Sequence, residues 1–356
     1  MKIKVPVKRP AKSESDQTQH NGGLTSKDFA SGQEVRWCPG CGDYSILKQM
    51  QTVLPQFGID KENIVFISGI GCSSRFPYYL ETFGMHSIHG RATAIASGLK
   101  ATRPELSVWI VTGDGDGLSI GGNHMAHLLR RNFDVNVLLF NNEIYGLTKG
   151  QYSPTSKLDS ITKSTPLGSL DHPFNPSAFA LGADGTFVAR SMDRDPKHLQ
   201  EMLKRSYEHK GTSFLEIYQN CNIFNDGAFF SYTEKDVKKQ NALFVEHGKP
   251  MVFGHEDEYG IKLNGTMPEV VKLENGDSMD DLWIHDERDP IKANIIIRME
   301  SIYPKQNFPR PFGVFYEGQR PNYEILMQAQ INNAIAQKGK GDLDVLIAGN
   351  ETWTIK

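Results

Sequence analysis

Sulfur is scarce in this chain: 356 residues include four cysteines, Cys38, Cys41, Cys72 and Cys221. An even count would permit two disulfides, but a chain of this size inside a cell has no need of them. Four thiols can instead make one metal or cluster site. Long apolar runs are missing too. None approaches the ~20 residues that a membrane span requires. Charge of one sign is absent as well, with 39 Lys and Arg against 42 Asp and Glu and a net charge of −3. That balance gives no support to a nucleic-acid or membrane-surface partner. The lysine-rich N-terminus has no apolar signal core, so a cytoplasmic location is expected. No internal repeat is visible. What remains is ample for a core: 38% hydrophobic and 10% aromatic residues, enough for one large domain with an appendage or for two domains.

The stretch Val108–Gln151, VWIVTGDGDGLSIGGNHMAHLLRRNFDVNVLLFNNEIYGLTKGQ, organises the rest. Val108–Thr112 reads as a buried parallel strand, which Gly113-Asp114-Gly115-Asp116-Gly117 breaks. Leu118–Arg131 is expected as a helix and Val135–Phe140 as a second strand, ended by Asn141-Asn142. Asp114 and Asn142 then fall at the carboxyl ends of neighbouring strands, where open α/β sheets bind ligands. A carboxylate, an amide and a backbone carbonyl just beyond are oxygen ligands suited to Mg²⁺ beside a phosphate. The glycines let the backbone approach that phosphate. An ordinary acidic βαβ turn is the bland alternative; the pairing of GDG with NN favours the ligand site.

Residues 1–21 are polar and basic and read as a flexible N-terminal arm. Trp37-Cys38-Pro39-Gly40-Cys41-Gly42-Asp43 follows, a bent loop able to present two sulfurs to one centre, with a helix expected over Asp43–Leu54. Half a zinc ribbon or a redox pair would use the same CxxC. Ile64–Ser68 is a strand ending in Gly69-Ile70-Gly71-Cys72-Ser73, and His89 precedes a small-residue helix over Ala92–Ala101. His89 can touch a diphosphate or cap that helix. Lys149, in a glycine-flanked loop, can meet a substrate carboxylate or stay in solvent. Tyr152–Pro176 reads as a long irregular loop. The strand Ser213–Tyr218 runs into Cys221, on the same edge as Cys72 and Asp114. From about residue 233 the composition becomes charged, with a helix over Asn322–Lys338 and a last strand at Asp344–Ala348. Residues 22–232 thus form the chemical domain, and 233–356 a structural or subunit-contacting extension.

The motifs CPGCGD, GIGCSSR, HGRA, GDGDGLSIGGNH and NNEIYGLTKGQ together resemble the beta subunit of 2-oxoacid:ferredoxin oxidoreductases. The resemblance spans Trp37 to Cys221 and continues more weakly beyond. It implies an α/β fold, a three-layer α/β/α thiamine-diphosphate-binding domain with a C-terminal extension. It implies thiamine diphosphate, Mg²⁺ and one 4Fe–4S cluster, the last held by Cys38, Cys41, Cys72 and Cys221. Asp114, Asn142 and the carbonyl of Ile144 match the Mg²⁺ ligands. Ile70, Gly71, Cys72, Ser73, His89, Gly115, Asp116 and Leu147 match cofactor contacts, and Lys149 a residue facing the substrate carboxylate.

The loop GLTKGQYSPTS is similar to that of members acting on 2-oxoglutarate and a broad range of 2-oxoacids. The implied reaction is coenzyme A-dependent oxidative decarboxylation of 2-oxoglutarate to succinyl-CoA, with electrons leaving through the cluster to ferredoxin; pyruvate is the alternative substrate. No second thiamine-type domain is visible, so an alpha subunit is expected to supply the pyrimidine-binding domain and the catalytic glutamate, in an alpha2beta2 heterotetramer. Two other classes compete. A zinc-stabilised binding module leaves GDG and NN unexplained, and a non-redox thiamine enzyme leaves the cysteines unexplained.

Overall fold

The computed structural model describes residues 23–273, 279–302, 307–350 and 352–353. The N-terminal arm of residues 1–21 lies outside them. The strands, in chain order, are β1 (Ile64–Ser68), β2 (Phe83–His86), β3 (Ser107–Gly113), β4 (Val135–Asn141), β5 (Ile144–Tyr145), β6 (Gln151–Tyr152) and β7 (Phe187–Met192). They continue with β8 (Ser213–Tyr218), β9 (Ala242–Val245), β10 (Val252–Phe253), β11 (Tyr259–Asn264), β12 (Met267–Lys272) and β13 (Arg310–Glu317). Eight of them form one sheet in the order β2-β1-β3-β4-β8-β7-β13-β9. From β2 to β7 every pairing is parallel, and β13 joins β7 antiparallel. Both β9 and β13 come from the chain beyond residue 233, so that segment completes the main sheet as well as forming the small β10–β11–β12 meander.

The helices are α1 (Asp43–Val53), α2 (Ala92–Thr102), α3 (Asp114–Leu118), α4 (Gly122–Arg131), α5 (Pro176–Gly182), α6 (Pro196–Glu208), α7 (Phe230–Thr233), α8 (Lys235–Asn241), α9 (Pro290–Ile302), α10 (Tyr323–Lys338) and α11 (Leu343–Ala348). Side chains alternate across the strands, and each face finds its own cover. Val108, Ile110, Val137 and Leu139 pack with Met125, Leu128 and Leu129 of α4 and Ala96 of α2. Trp109, Val111, Leu138 and Phe140 pack with Ile46 and Met50 of α1 and Leu199 and Leu203 of α6. Covered on both sides, β4 is buried at all its positions, which is why it reads as a continuous apolar run.

Two details differ from the sequence reading. The helix expected over Leu118–Arg131 is two helices, because α3 begins at Asp114 and the chain breaks at Ser119–Gly121 before α4. At that break Gly90 lies against the backbone of Ile120 and Gly121; a Cβ at Gly90 would stand 2.5 Å from Gly121 N. The last strand at Asp344–Ala348 is helix α11. The Asp342 carboxylate accepts from the N–H groups of Asp344 (2.9 Å) and Val345 (3.1 Å), an N-cap that settles a short apolar run ambiguous by pattern. Helix α10 occupies the span expected, and its Leu326, Ile331 and Ile335 are exposed.

One buried ion pair stands inside the sheet. Arg190 of β7 and Glu216 of β8, opposite each other in register, meet at 3.0 Å with both side chains almost fully enclosed. Removing one partner strands the other's charge, whereas replacing both does not. Arg190→Ala should therefore cost about 3–5 kcal/mol in urea unfolding. The double variant Arg190→Met with Glu216→Gln should lose clearly less; equal losses would show the pair to be irrelevant.

Candidate active site

The parallel strands all point their carboxyl ends to one edge, and the polar loops gather there. Cys72 follows β1, Asp114 follows β3, Asn142 follows β4, Asp193 follows β7 and Cys221 follows β8. Between the loops after β1, β3 and β4 lies a cavity of about 450 Å³. Ile70, Gly71, Cys72, Ser73 and His89 line one side, and Asp114, Gly115, Asp116, Asn142, Ile144 and Leu147 the other. Each residue expected to contact the cofactor or Mg²⁺ is thus brought to one cavity. Lys149 is not among the lining residues: its side chain is exposed and its backbone stands at φ 73°, with N–H donating to Gly146 O. Tyr145, Gln151 and Tyr152 also line the cavity and were not anticipated; strands β5 and β6 pair across the loop and carry them in.

Asp114 is 2% exposed, and burial pushes its carboxyl above the ordinary range. The Thr155 hydroxyl donates to its Oδ2 at 2.6 Å and lies 3.0 Å from Asn141 Oδ1. Asn141 in turn donates to Glu216 Oε1 (2.9 Å), whose other oxygen accepts from Ser177 (2.7 Å) and Arg190 (3.0 Å). A chain of hydrogen-bonded side chains therefore links the buried ion pair to Asp114. Thr155 carried no signal in the sequence beyond lying in a Ser/Thr-rich loop.

Asp116, expected as a cofactor contact, also ties the surrounding loops together. Although it borders the cavity, its Oδ1 accepts from the N–H groups of Ile70 (3.1 Å) and Gly90 (2.7 Å), and its Oδ2 from Thr112 Oγ1 (2.7 Å). It buckles three loops together. Gly69 must be glycine beside it, since a Cβ there would collide with Asp116 Oδ2. Gly115 is likewise required, since a Cβ would run into the Tyr145 ring.

On the other flank the cysteine loops converge. A Cβ placed on Gly146 would stand 3.6 Å from both Cys72 Sγ and Cys221 Sγ. The CxxC loop is tied in by Gly42 N–H donating to Asn220 O (3.1 Å), and the Cys72 carbonyl accepts from Trp37 Nε1 (2.7 Å). Cys38 is exposed, and the other three are half-buried. Burial, aided by neighbouring negative charge, pushes the Cys72 thiol up to about 12 and the Cys41 thiol higher still. Asp43, 1% exposed, sits beside Cys41, and burial raises its carboxyl to about 7. Among the described residues no three His, Cys, Asp or Glu side chains close on a single metal-ion position. No helix among them is long and apolar enough to cross a membrane.

Comparison with known proteins agrees with this geometry. Residues 69–217 match the family model described as thiamine pyrophosphate enzyme, C-terminal TPP binding domain. The chain is 52% identical over 334 residues to 2-oxoglutarate oxidoreductase subunit KorB of Mycobacterium tuberculosis, covering 92% of this chain and 88% of that protein. The chain belongs to the 2-oxoacid oxidoreductase beta-subunit family. It is also 43% identical over 205 residues to the 2-oxoacid:ferredoxin oxidoreductase beta subunit of Saccharolobus solfataricus, covering 57% of this chain and 67% of that one. A solved 2-oxoglutarate:ferredoxin oxidoreductase from Magnetococcus marinus, with 2-oxoglutarate, coenzyme A and succinyl-CoA bound, matches with a TM-score of 0.73 at 31% identity, covering 94% of this chain and 98% of that chain. As a beta subunit, the chain works with another subunit, and its cavity lies in the part matched by the thiamine pyrophosphate model.

Asp116→Asn keeps the shape but turns one acceptor of the buckle into a donor. Hydrogen bonds to charged groups contribute about 1.5–3 kcal/mol. The variant should lose that much stability in urea and bind thiamine diphosphate more weakly by calorimetry. Wild-type values in both would deny the buckle its role.

Proposed function

We propose that this chain is the beta subunit of a 2-oxoglutarate:ferredoxin oxidoreductase, acting with an alpha subunit in the coenzyme A-dependent oxidative decarboxylation of 2-oxoglutarate to succinyl-CoA. The observation that carries this reading is the meeting of two unlike sites on one sheet edge. A cavity holding Asp114 and Asn142 adjoins a loop cluster holding Cys72 and Cys221. A zinc module has no use for the first, and a non-redox thiamine enzyme has none for the second.

The residues fit the groups. Asp114, Asn142 and the Ile144 carbonyl would hold Mg²⁺; a dication restores the charged form that burial of Asp114 disfavours. Ile70, Gly71, Ser73, His89, Gly115 and Leu147 would cradle the diphosphate end of the cofactor. Cys38, Cys41, Cys72 and Cys221 would ligate one 4Fe–4S cluster, where iron offsets the cost of burying thiolates. Thiamine diphosphate held there would supply an electron sink for decarboxylation, and a cluster on the cysteines would supply single-electron transfer. The buckle at Asp116 and the Thr155 hydroxyl hold the binding loops so that little reorganises on binding. Cys38, the exposed one of the four cysteines, would be the ligand nearest solvent and so nearest an incoming ferredoxin. The alpha subunit supplies the pyrimidine-binding domain and its glutamate, in an alpha2beta2 assembly.

The co-purified alpha–beta complex, assayed with coenzyme A, ferredoxin and a panel of 2-oxoacids, tests this directly. The expected outcome is highest kcat/KM for 2-oxoglutarate and four irons per beta chain, with Cys221→Ser losing the cluster's electron paramagnetic resonance signal. Preference for pyruvate would move the substrate assignment, and zinc in place of iron would overturn the reading.

Lys149 stands with an exposed side chain on the loop beside the cavity, between the lining residues Thr148 and Gln151. Its proposed partner is the substrate carboxylate. Lys149→Ala should raise the KM for 2-oxoglutarate roughly tenfold while leaving thiamine diphosphate affinity unchanged; unaltered kinetics would leave it a solvent lysine.

A further inference from the structure

A single buried amide joins the two halves of the site. Gln219, 1% exposed, follows β8 directly and lies between the Asn142 side chain and the CxxC loop. Its Oε1 accepts from Asn142 Nδ2 at 2.8 Å, and its Nε2 donates to Cys41 Sγ at 3.2 Å and to Asn220 O at 2.6 Å. The backbone dictates this orientation. The Ile144 N–H can only donate, and it meets Asn142 Oδ1 at 3.2 Å. Asn142 therefore turns its Nδ2 toward Gln219, which must answer with Oε1. That leaves Nε2 facing the sulfur and a carbonyl, both acceptors. The backbone N–H of Gln219 donates to Asn141 O (2.9 Å), so the residue is anchored on the strand that carries Asn142.

We propose that Gln219 is a positioning residue that couples the diphosphate–Mg²⁺ site to the iron–sulfur cluster. It holds the Asn142 amide on one side and donates to a cluster sulfur on the other. The proposal rests on the reading of Cys41 as a cluster ligand and Asn142 as a Mg²⁺ ligand. Hydrogen bonds to ligand sulfurs set a cluster's potential, because a donor offsets the negative charge that reduction adds. Gln219 thus holds the potential above the value it would have without the donor. On the other side, an acceptor on Asn142 Nδ2 keeps its oxygen turned toward Ile144 and the cavity. One side chain does both, so a shift of either loop is felt by the other.

Two substitutions separate these roles. Gln219→Glu keeps an oxygen for Asn142 but has no donor for Cys41. Gln219→Leu removes both. In the alpha–beta complex, a redox titration followed by electron paramagnetic resonance should place the cluster at a more negative potential than wild type in both variants. Calorimetry with thiamine diphosphate and Mg²⁺ should show affinity roughly two- to tenfold weaker in Gln219→Leu, and near wild type in Gln219→Glu. A potential unchanged in both variants overturns the proposal, as does equal loss of cofactor affinity in both. If Gln219→Leu does not assemble, the potential of Gln219→Glu decides; if neither assembles with its iron, Gln219 belongs to the fold and the proposal fails. A wild-type complex lacking the cluster signal would overturn the underlying reading instead, so the two failures are distinguishable.

Discussion

A carboxylate enclosed in the middle of a parallel sheet must be neutralised, and the way Glu216 is neutralised orders much of what lies above it. Arg190 from the adjacent strand faces it in register, and Ser177 from α5 donates to it as well. With those partners the group stays a pure acceptor, and the neighbouring Asn141 has no choice but to present its amide nitrogen. Its oxygen then accepts from the Glu143 N–H and faces the Thr155 hydroxyl, whose single hydrogen lies between Asn141 Oδ1 (3.0 Å) and the nearer Asp114 Oδ2 (2.6 Å). An ion pair in the sheet is thus linked, through Asn141 and Thr155, to a carboxylate at the cavity. Such a pair is weak evidence for stability in its own right; its use here is to specify geometry.

The same logic continues toward the cysteines. Asn142, next in the chain after Asn141, is oriented by a backbone N–H and passes its orientation to Gln219 and so to Cys41. Asn225 adds a second tie by donating to the Asn142 carbonyl at 2.9 Å, linking it to the loop after Cys221. The two chemical halves of the site are therefore not independent loops resting on a common scaffold. They share buried polar side chains, each of whose partners is fixed by the one before it, and networks of that kind are rigid only when every member is satisfied.

Electrostatics separates the halves. The cysteine flank gathers buried acids, Asp43 raised to about 7 and Asp193 to about 6. In both, desolvation leads, and for Asp43 the neighbouring Asp193 adds to it. On the cavity flank Asp114 is also raised by burial, but hydroxyl and backbone donors pull it back toward the charged form. Both flanks therefore disfavour further negative charge and reward a cationic group placed between their ligands.

Much of this was legible before any coordinates. Strands β1, β3, β4 and β8 are buried on both faces, so their sequences are short continuous apolar runs, and the polar residue ending each run marks the ligand edge. Asp114, Asn142, Cys72 and Cys221 could be named from that alone. The break between α3 and α4 could not, because it depends on Gly90 approaching Gly121, two residues far apart in the chain. Nor could the buckle at Asp116, whose partners come from three segments, or the work of Thr155 and Gln219, ordinary polar residues until their neighbours are known. Sequence by itself determined which residues reach the site edge, since strand burial and the positions of chain breaks are local properties. Only the tertiary structure decided how each polar atom there is oriented, since a hydrogen-bond donor's partner is chosen by whatever other loop the fold brings within 3 Å or so.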